Sequence, residues 1–119
     1  MLRIVVSGVA KQEIARAAAK AGGDQVQVTV LSDIEAARAV KDGRADVMIG
    51  SCATGLGGAL GMAIALLGRD RCVTLATAGR TPRPDEVKAK AVAGSVAFGV
   101  IPDAVDAVVP PLVAALLAR

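Results

Sequence analysis

The sequence predicts a three-layer α/β domain built on a parallel sheet of five strands, with residues 1–119 forming one unit. Three observations lead there. Short β-branched runs alternate strictly with alanine-rich segments of helical length, which implies parallel strands, right-handed crossovers and helices on both faces. Glycines close most of the helical segments. Hydrophobic residues make up 54% of 119 residues, enough for a core of Ala, Val, Leu and Ile in which Phe98 is the sole aromatic residue.

LRIVVSG (2–8) is a short apolar run ending in glycine and predicts a buried strand. KQEIARAAAKAGG (11–23) predicts a helix that stops at Gly22 and Gly23. VQVTVL (26–31) alternates as a half-exposed strand does, which suits a sheet edge. Ser32 stands three residues before Glu35, a capping box that opens a helix over DIEAARAVKDG and closes at Gly43. ADVMIG (45–50) is the third strand, and GGALGMAIALLG (57–68) a helix apolar on nearly all faces. CVTLAT (72–77) is the fourth strand. TPRPDEVKAKAVAG (81–94) places Pro84 at the first helical position, and SVAFGV (95–100) is the fifth strand. From Pro102 a last helical stretch breaks at Pro110-Pro111 and resumes as LVAALLA. Five strands in this succession fit the order 2-1-3-4-5, the flavodoxin-like, Rossmann-like arrangement.

Composition excludes several function classes. The chain has no histidine, so a Ser-His-Asp triad, a histidine base and histidine metal ligands are all ruled out, and no metal is expected. The net charge of +3 is scattered, and Phe98 alone could stack on a base, so no nucleic-acid partner is expected. Neither the dinucleotide glycine fingerprint nor the P-loop is present: Leu60 stands where the third glycine would be, and no lysine follows. No cofactor is expected. Two cysteines and an apolar start too short for a secretory signal place the chain in a reducing, cytoplasmic setting. Val47–Gly68 holds 22 uncharged residues, long enough to cross a bilayer, but a strand, glycine turn and buried helix give the same run. No membrane insertion is expected.

GSCATGLGGALG (50–61) is the segment that carries chemistry. In open parallel sheets ligands bind beyond the carboxyl ends of the strands, at the switch point between strands 1 and 3. SGVA (7–10) and SCATGLGG (51–58) follow those two strands. A glycine turn entering a helix offers open backbone N–H groups and the positive end of the helix dipole. Ser51, Cys52, Thr54, Gly55, Gly57 and Gly58, assisted by Ser7 and Gly8, therefore form a candidate cradle for a small anionic, phosphorylated ligand. The same setting favours a reactive thiolate at Cys52, the candidate catalytic residue. A packing role is the alternative: the glycines admit close helix–sheet contact and Cys52 fills a small pocket. Cys72 opens a strand and reads as core. Arg80 and Arg83 in TAGRTPRP are either a mobile anion clamp or solvated loop residues. Asp46 lies at the opposite end of its strand, and Asp33 and Glu35 suit the dipole of their helix. The apolar helix 57–68 and the terminal VVPPLVAALLA exceed what one small sheet covers, which predicts a homo-oligomer.

The segment Cys52, Thr54, Gly55, Gly57, followed by an alanine-rich apolar helix, resembles the C-x-T-G-x-G turn of B-type ribose-phosphate and galactose-phosphate isomerases. The resemblance implies a sugar-phosphate isomerase in which Cys52 is the base that moves a proton between carbons. That family carries Asp-His after strand 1, where this chain has Ser7-Gly8-Val9. A similar cysteine turn in phosphotransferase-system B subunits of the galactitol and lactose type implies a phosphoryl carrier or regulatory subunit of a transport system, although there the cysteine follows strand 1. Over its whole length, through VSGVAKQEI, SDIEAARAVKDGRADVMIGSCATG, GMAIALLG and AFGVIPDAVDAVVP, the chain resembles the YhfU-like bacterial family of unknown function.

Overall fold

The structure, a computed structural model, describes residues 1–53 and 58–119, residues 58 and 59 by their backbone. Its five strands are β1 (Leu2–Gly8), β2 (Val26–Val30), β3 (Val47–Ser51), β4 (Cys72–Thr74) and β5 (Ala97–Val100). All pair in parallel. The helices are α1 (Lys11–Gly22), α2 (Asp33–Lys41), α3 (Gly58–Leu67), α4 (Pro84–Val92) and α5 (Val105–Ala118). The long apolar run is thus divided between β3 and α3, and among the described residues no helix is long and apolar enough to cross a membrane.

The strand order is β2-β1-β3-β5-β4, which corrects the expected order at its last two strands. Burial explains the exchange. All four residues of β5 are buried, whereas the three residues of β4 are half-exposed, so the better-covered run takes the interior and the shorter one the edge. The chain then runs back from β4 to β5, and the right-handed rule puts α4 on the face opposite α2 and α3. There α4 and α1 both pack on α5, while α2 packs on α3 across the sheet. Ile4, Val6, Ile49 and Phe98 meet the three-helix layer; Val5, Met48 and Ala97 meet the other.

Local chemistry fixes the helix ends. Ser32 Oγ accepts from Glu35 N–H at 3.2 Å and donates to Glu35 Oε1 at 2.8 Å, the expected capping box. Pro84 is the first residue of α4. α5 departs from expectation, since it continues through Pro110 and Pro111. Those prolines take two donors from the ladder, opposite the carbonyls of Asp106 and Ala107. Both are exposed residues, where water can take over, while Val108, Val109, Leu112 and Val113 keep the helix on the core.

At the amino edge of the sheet Arg3 grips Asp46. The guanidinium donates to Oδ1 at 3.0 Å and Oδ2 at 3.3 Å, and the Arg3 N–H donates to Oδ2 at 2.7 Å. The Arg3 side-chain bonds, then its backbone bond, hold the Asp46 carboxyl below its usual range. A depressed folded value adds stability above the unfolded value and loses it as pH falls through the folded one. The pair is partly exposed, so Asp46→Asn should cost no more than about 1 kcal/mol at pH 7. Urea unfolding should show that difference closing below pH of about 4. A difference of equal size at pH 3 and 7 would contradict this assignment.

Candidate functional site

β1 ends in a residue that only glycine can supply. Gly8 has φ +96°, and a Cβ there would run into the Ser51 carbonyl oxygen and stand 2.7 Å from the Ser51 nitrogen. This close approach lets the ends of β1 and β3 interlock. Ser51 Oγ accepts from Ala10 N–H at 2.8 Å and donates to the Ser7 carbonyl at 3.4 Å, while Val9 N–H reaches the Ser51 carbonyl at 3.3 Å. Ala10 offers α1 no side-chain cap, so Ser51 takes over part of that task from the neighbouring strand. Ser51 is buried with its hydroxyl engaged; its role is to join the strand ends.

Above that joint a groove of about 420 Å³ opens between the ends of β1, β2 and β3, with Lys11, Ser32, Asp33 and Cys52 among its lining side chains. Cys52 follows β3 directly and is half-buried, its N–H donating to the Val100 carbonyl at 3.3 Å. Of the expected cradle, Gly8, Ser51 and Cys52 thus meet at one groove, and Gly58 begins α3. Ser7 lies beneath, fully buried, and strand alternation sets it on the side of α2 and α3. Thr54, Gly55 and Gly57 lie outside the described residues.

Among the described residues, two buried side-chain polar atoms lack a hydrogen-bond partner: Ser7 Oγ and Asp33 Oδ1. Both stand at the carboxyl edge. An orphaned buried polar atom costs about 1–3 kcal/mol; Asp33 is one of the residues lining the groove, and Ser7 lies buried beneath it. The larger concavity, about 530 Å³ at the amino edge, differs in this respect. Its Asp46 is held by Arg3, and its Arg119 donates to the carbonyls of Ala91 at 2.7 Å and Ser95 at 2.8 Å.

Two further residues of the groove were not singled out as site residues in the sequence: Lys11, and Asp33, which also stands in the first turn of α2 where it suits the helix dipole. The signal was available in the topology: each stands three residues beyond its strand, after Gly8 and after Val30. In a parallel sheet such first-turn residues converge on one edge. Cys72 opens β4 at the opposite edge, donates to the Gly68 carbonyl at 3.4 Å, and has its thiol pushed up by burial, which Arg71 partly offsets. Arg80 is bound to Glu86 at 2.8 Å and Arg83 to Asp85 at 3.4 Å. They sit after the edge strand β4, separated from β3 by β5, so the strand correction also moves them away from the groove. Among the described residues no group of three or more metal-ligating side chains exists.

The fold is an α/β fold also seen in B-type ribose-5-phosphate isomerases. The ribose-5-phosphate isomerase B of Giardia lamblia superposes with a TM-score of 0.71 over 99% of this chain and 95% of that one, at 16% identity. The type B ribose 5-phosphate isomerase of Trypanosoma brucei gives 0.69 over 98% and 85%, at 15% identity. At such identities the likeness is one of fold alone. The chain belongs to the family described as "Protein of unknown function DUF2620", whose model matches residues 2–116. It is 33% identical over 113 residues to the uncharacterized protein YhfU of Escherichia coli K12, covering 95% of this chain and 97% of that one, and equally to YhfU of Shigella flexneri.

Proposed function

We propose that this chain is a cytoplasmic protein that binds a small phosphorylated metabolite, of the sugar-phosphate class, in the groove at the carboxyl edge of β1, β2 and β3. The observation that carries this reading is the start of α1 at the groove, where Ala10 offers no side-chain cap, with Lys11 among the lining residues and the buried, unpartnered Ser7 hydroxyl beneath. Unused backbone donors at a helix start, together with an ammonium, suit a phosphate. Ser51 and Cys52 line the same groove from the β3 side. Calorimetry tests the reading: ribose 5-phosphate should bind wild type at least roughly tenfold more tightly than ribose, and Lys11→Ala should weaken it by a similar factor. Equal affinity for both sugars would refute it.

Cys52 on the groove wall favours a second, catalytic reading, supported by the shared fold with ribose-5-phosphate isomerases. Here the Cys52 side chain would take a proton from one carbon of the bound sugar phosphate and return it to the next. Cys52→Ser should then lower aldose–ketose exchange by a factor of roughly 10²–10⁴ while ligand affinity holds. Undiminished exchange in that variant would contradict the reading.

Self-association belongs to the same proposal. α3 has no charged residue in its first or last turn, and Gly61, Met62 and Ala65 are exposed along it. A second copy covering this face would remove apolar surface from water. Light scattering at micromolar concentration should give at least twice the chain mass; a single-chain mass would count against it.

A further inference from the structure

We propose that the corner of the amino edge where α2 and α3 end is a docking surface for an acidic segment of another protein. It stands apart from the groove at the opposite edge.

The positive charge that is scattered along the sequence is gathered here by the fold. α2 and α3 pack on each other on one face of the sheet, and both end at its amino edge, ahead of β3 and β4. Met48 of β3 and Cys72 of β4 both pair with Ala97, so the segments leading into those strands emerge level with each other, about 10 Å apart. Arg38 and Lys41 stand in the last turn of α2, Arg44 follows it, and Arg69 and Arg71 follow α3; all five are exposed. Asp42 and Asp70 stand among them, while Arg3 and Asp46 beside them cancel. Five of the 14 basic residues but only two of the 11 acidic ones are thus at this corner, which alone matches the chain's net charge of +3.

The fold does not use up this charge. One basic residue serves the last turn of α1 and one that of α4, Lys20 and Lys90, whereas Arg44, Arg69 and Arg71 lie beyond their helices altogether. Arg44 is bound to Asp42 at 3.3 Å; Arg38, Lys41, Arg69 and Arg71 enter no ion pair among the described residues. Like charges held together repel, and an acidic partner relieves that repulsion.

The kind of partner follows from what surrounds the cations. They stand on open surface, outside the grooves at the two strand edges, which suits a macromolecule rather than a small anion. A second copy laid corner to corner would set like charges against each other. Asp42 and Asp70 repel the phosphates of a nucleic acid or a lipid, whereas a protein segment that is acidic overall can meet them with a base. Trp and Tyr are absent and Phe98 is buried, so no aromatic ring is there to stack on a base or to anchor in a bilayer. Four of the five cations are arginines, whose planar forks pair bidentately with carboxylates.

Decaglutamate serves as the probe, followed by amide shifts and calorimetry at low salt. Three proteins are compared: wild type, Arg69→Gln with Arg71→Gln, and Lys20→Gln with Lys88→Gln, which removes the same charge from exposed positions elsewhere. All four substituted side chains are exposed, so both variants should unfold with the wild-type midpoint. In wild type the amides of Arg38, Lys41, Arg44, Arg69 and Arg71 should shift saturably. Affinity should fall roughly tenfold in the arginine variant, the loss of two exposed charge pairs, and no more than about twofold in the lysine variant. Equal losses in the two variants would reduce the surface to bulk charge and overturn the proposal, as would no binding at all. A short DNA duplex of the same charge, bound more tightly than decaglutamate through Arg69 and Arg71, would overturn it in favour of a nucleic acid. Tighter binding to vesicles of equal parts phosphatidylcholine and phosphatidylglycerol would do so in favour of a lipid surface.

Discussion

Gly8→Ala should be among the most damaging substitutions in this chain, lowering stability by about 2–5 kcal/mol. Two costs combine. An L-residue at φ +96° is strained wherever it sits, and here the added methyl also meets the Ser51 backbone. Gly43 separates the two costs: it has φ +78° with nothing within 4 Å of a new Cβ. Gly43→Ala should therefore cost only about 1–2 kcal/mol. Thermal unfolding of both variants decides the point, with Gly8→Ala melting well below Gly43→Ala. Equal melting points would mean that β1 and β3 do not approach as described. Because the joint also forms the floor of the groove, the same substitution should weaken ligand binding in whatever fraction still folds.

Phe98→Ala should cost about 3–5 kcal/mol, the range for emptying a large aromatic site in a closed core. Phe98 is fully buried in the interior strand β5, between Ile49 of β3 and Val73 of β4. Val73, half-exposed on the edge, is the counterpart: Val73→Ala should cost about 1 kcal/mol or less. Urea unfolding of the pair reads the strand order directly. If β4 were interior and β5 the edge, the Val73 substitution would cost far more and the Phe98 substitution less than stated.

Those two residues also show why the sheet was only partly legible in the sequence. CVTLAT and SVAFGV are both short apolar runs between helices, and nothing local says which lies further from the edge. The choice is made by packing: all four residues of the AFGV run are buried, whereas the three of β4 are half-exposed. Where one residue type has a single physical use, the reading succeeds: Ser32 with Glu35 as a cap, Pro84 at a helix start. Pro110-Pro111 misled for the converse reason. A proline pair normally ends a helix, yet the buried valines and leucines on either side outweigh two lost bonds at exposed carbonyls.

The site follows the same division. Cys52 and Gly8 stand out by type and by position after β3 and β1, and the structure sets both at one groove. Lys11 and Asp33 look like ordinary helix-start residues, and only the parallel topology brings them to one groove. Ser51 lines the groove too, with its hydroxyl engaged by Ala10 and Ser7. The missing histidine leaves any proton transfer in this groove to Cys52 and the residues beside it.

The central claim is that the carboxyl edge of β1 and β3 binds a phosphorylated small molecule. An amide NMR titration with inorganic phosphate, then ribose 5-phosphate, tests it most directly. Saturable shifts are expected at Gly8, Val9, Lys11 and Cys52, joined by the amides of Gly55, Gly57 and Gly58, with little change at Leu2, Asp24 or Asp46. Shifts confined to the amino edge, or none at any anion concentration short of general salt effects, would contradict it.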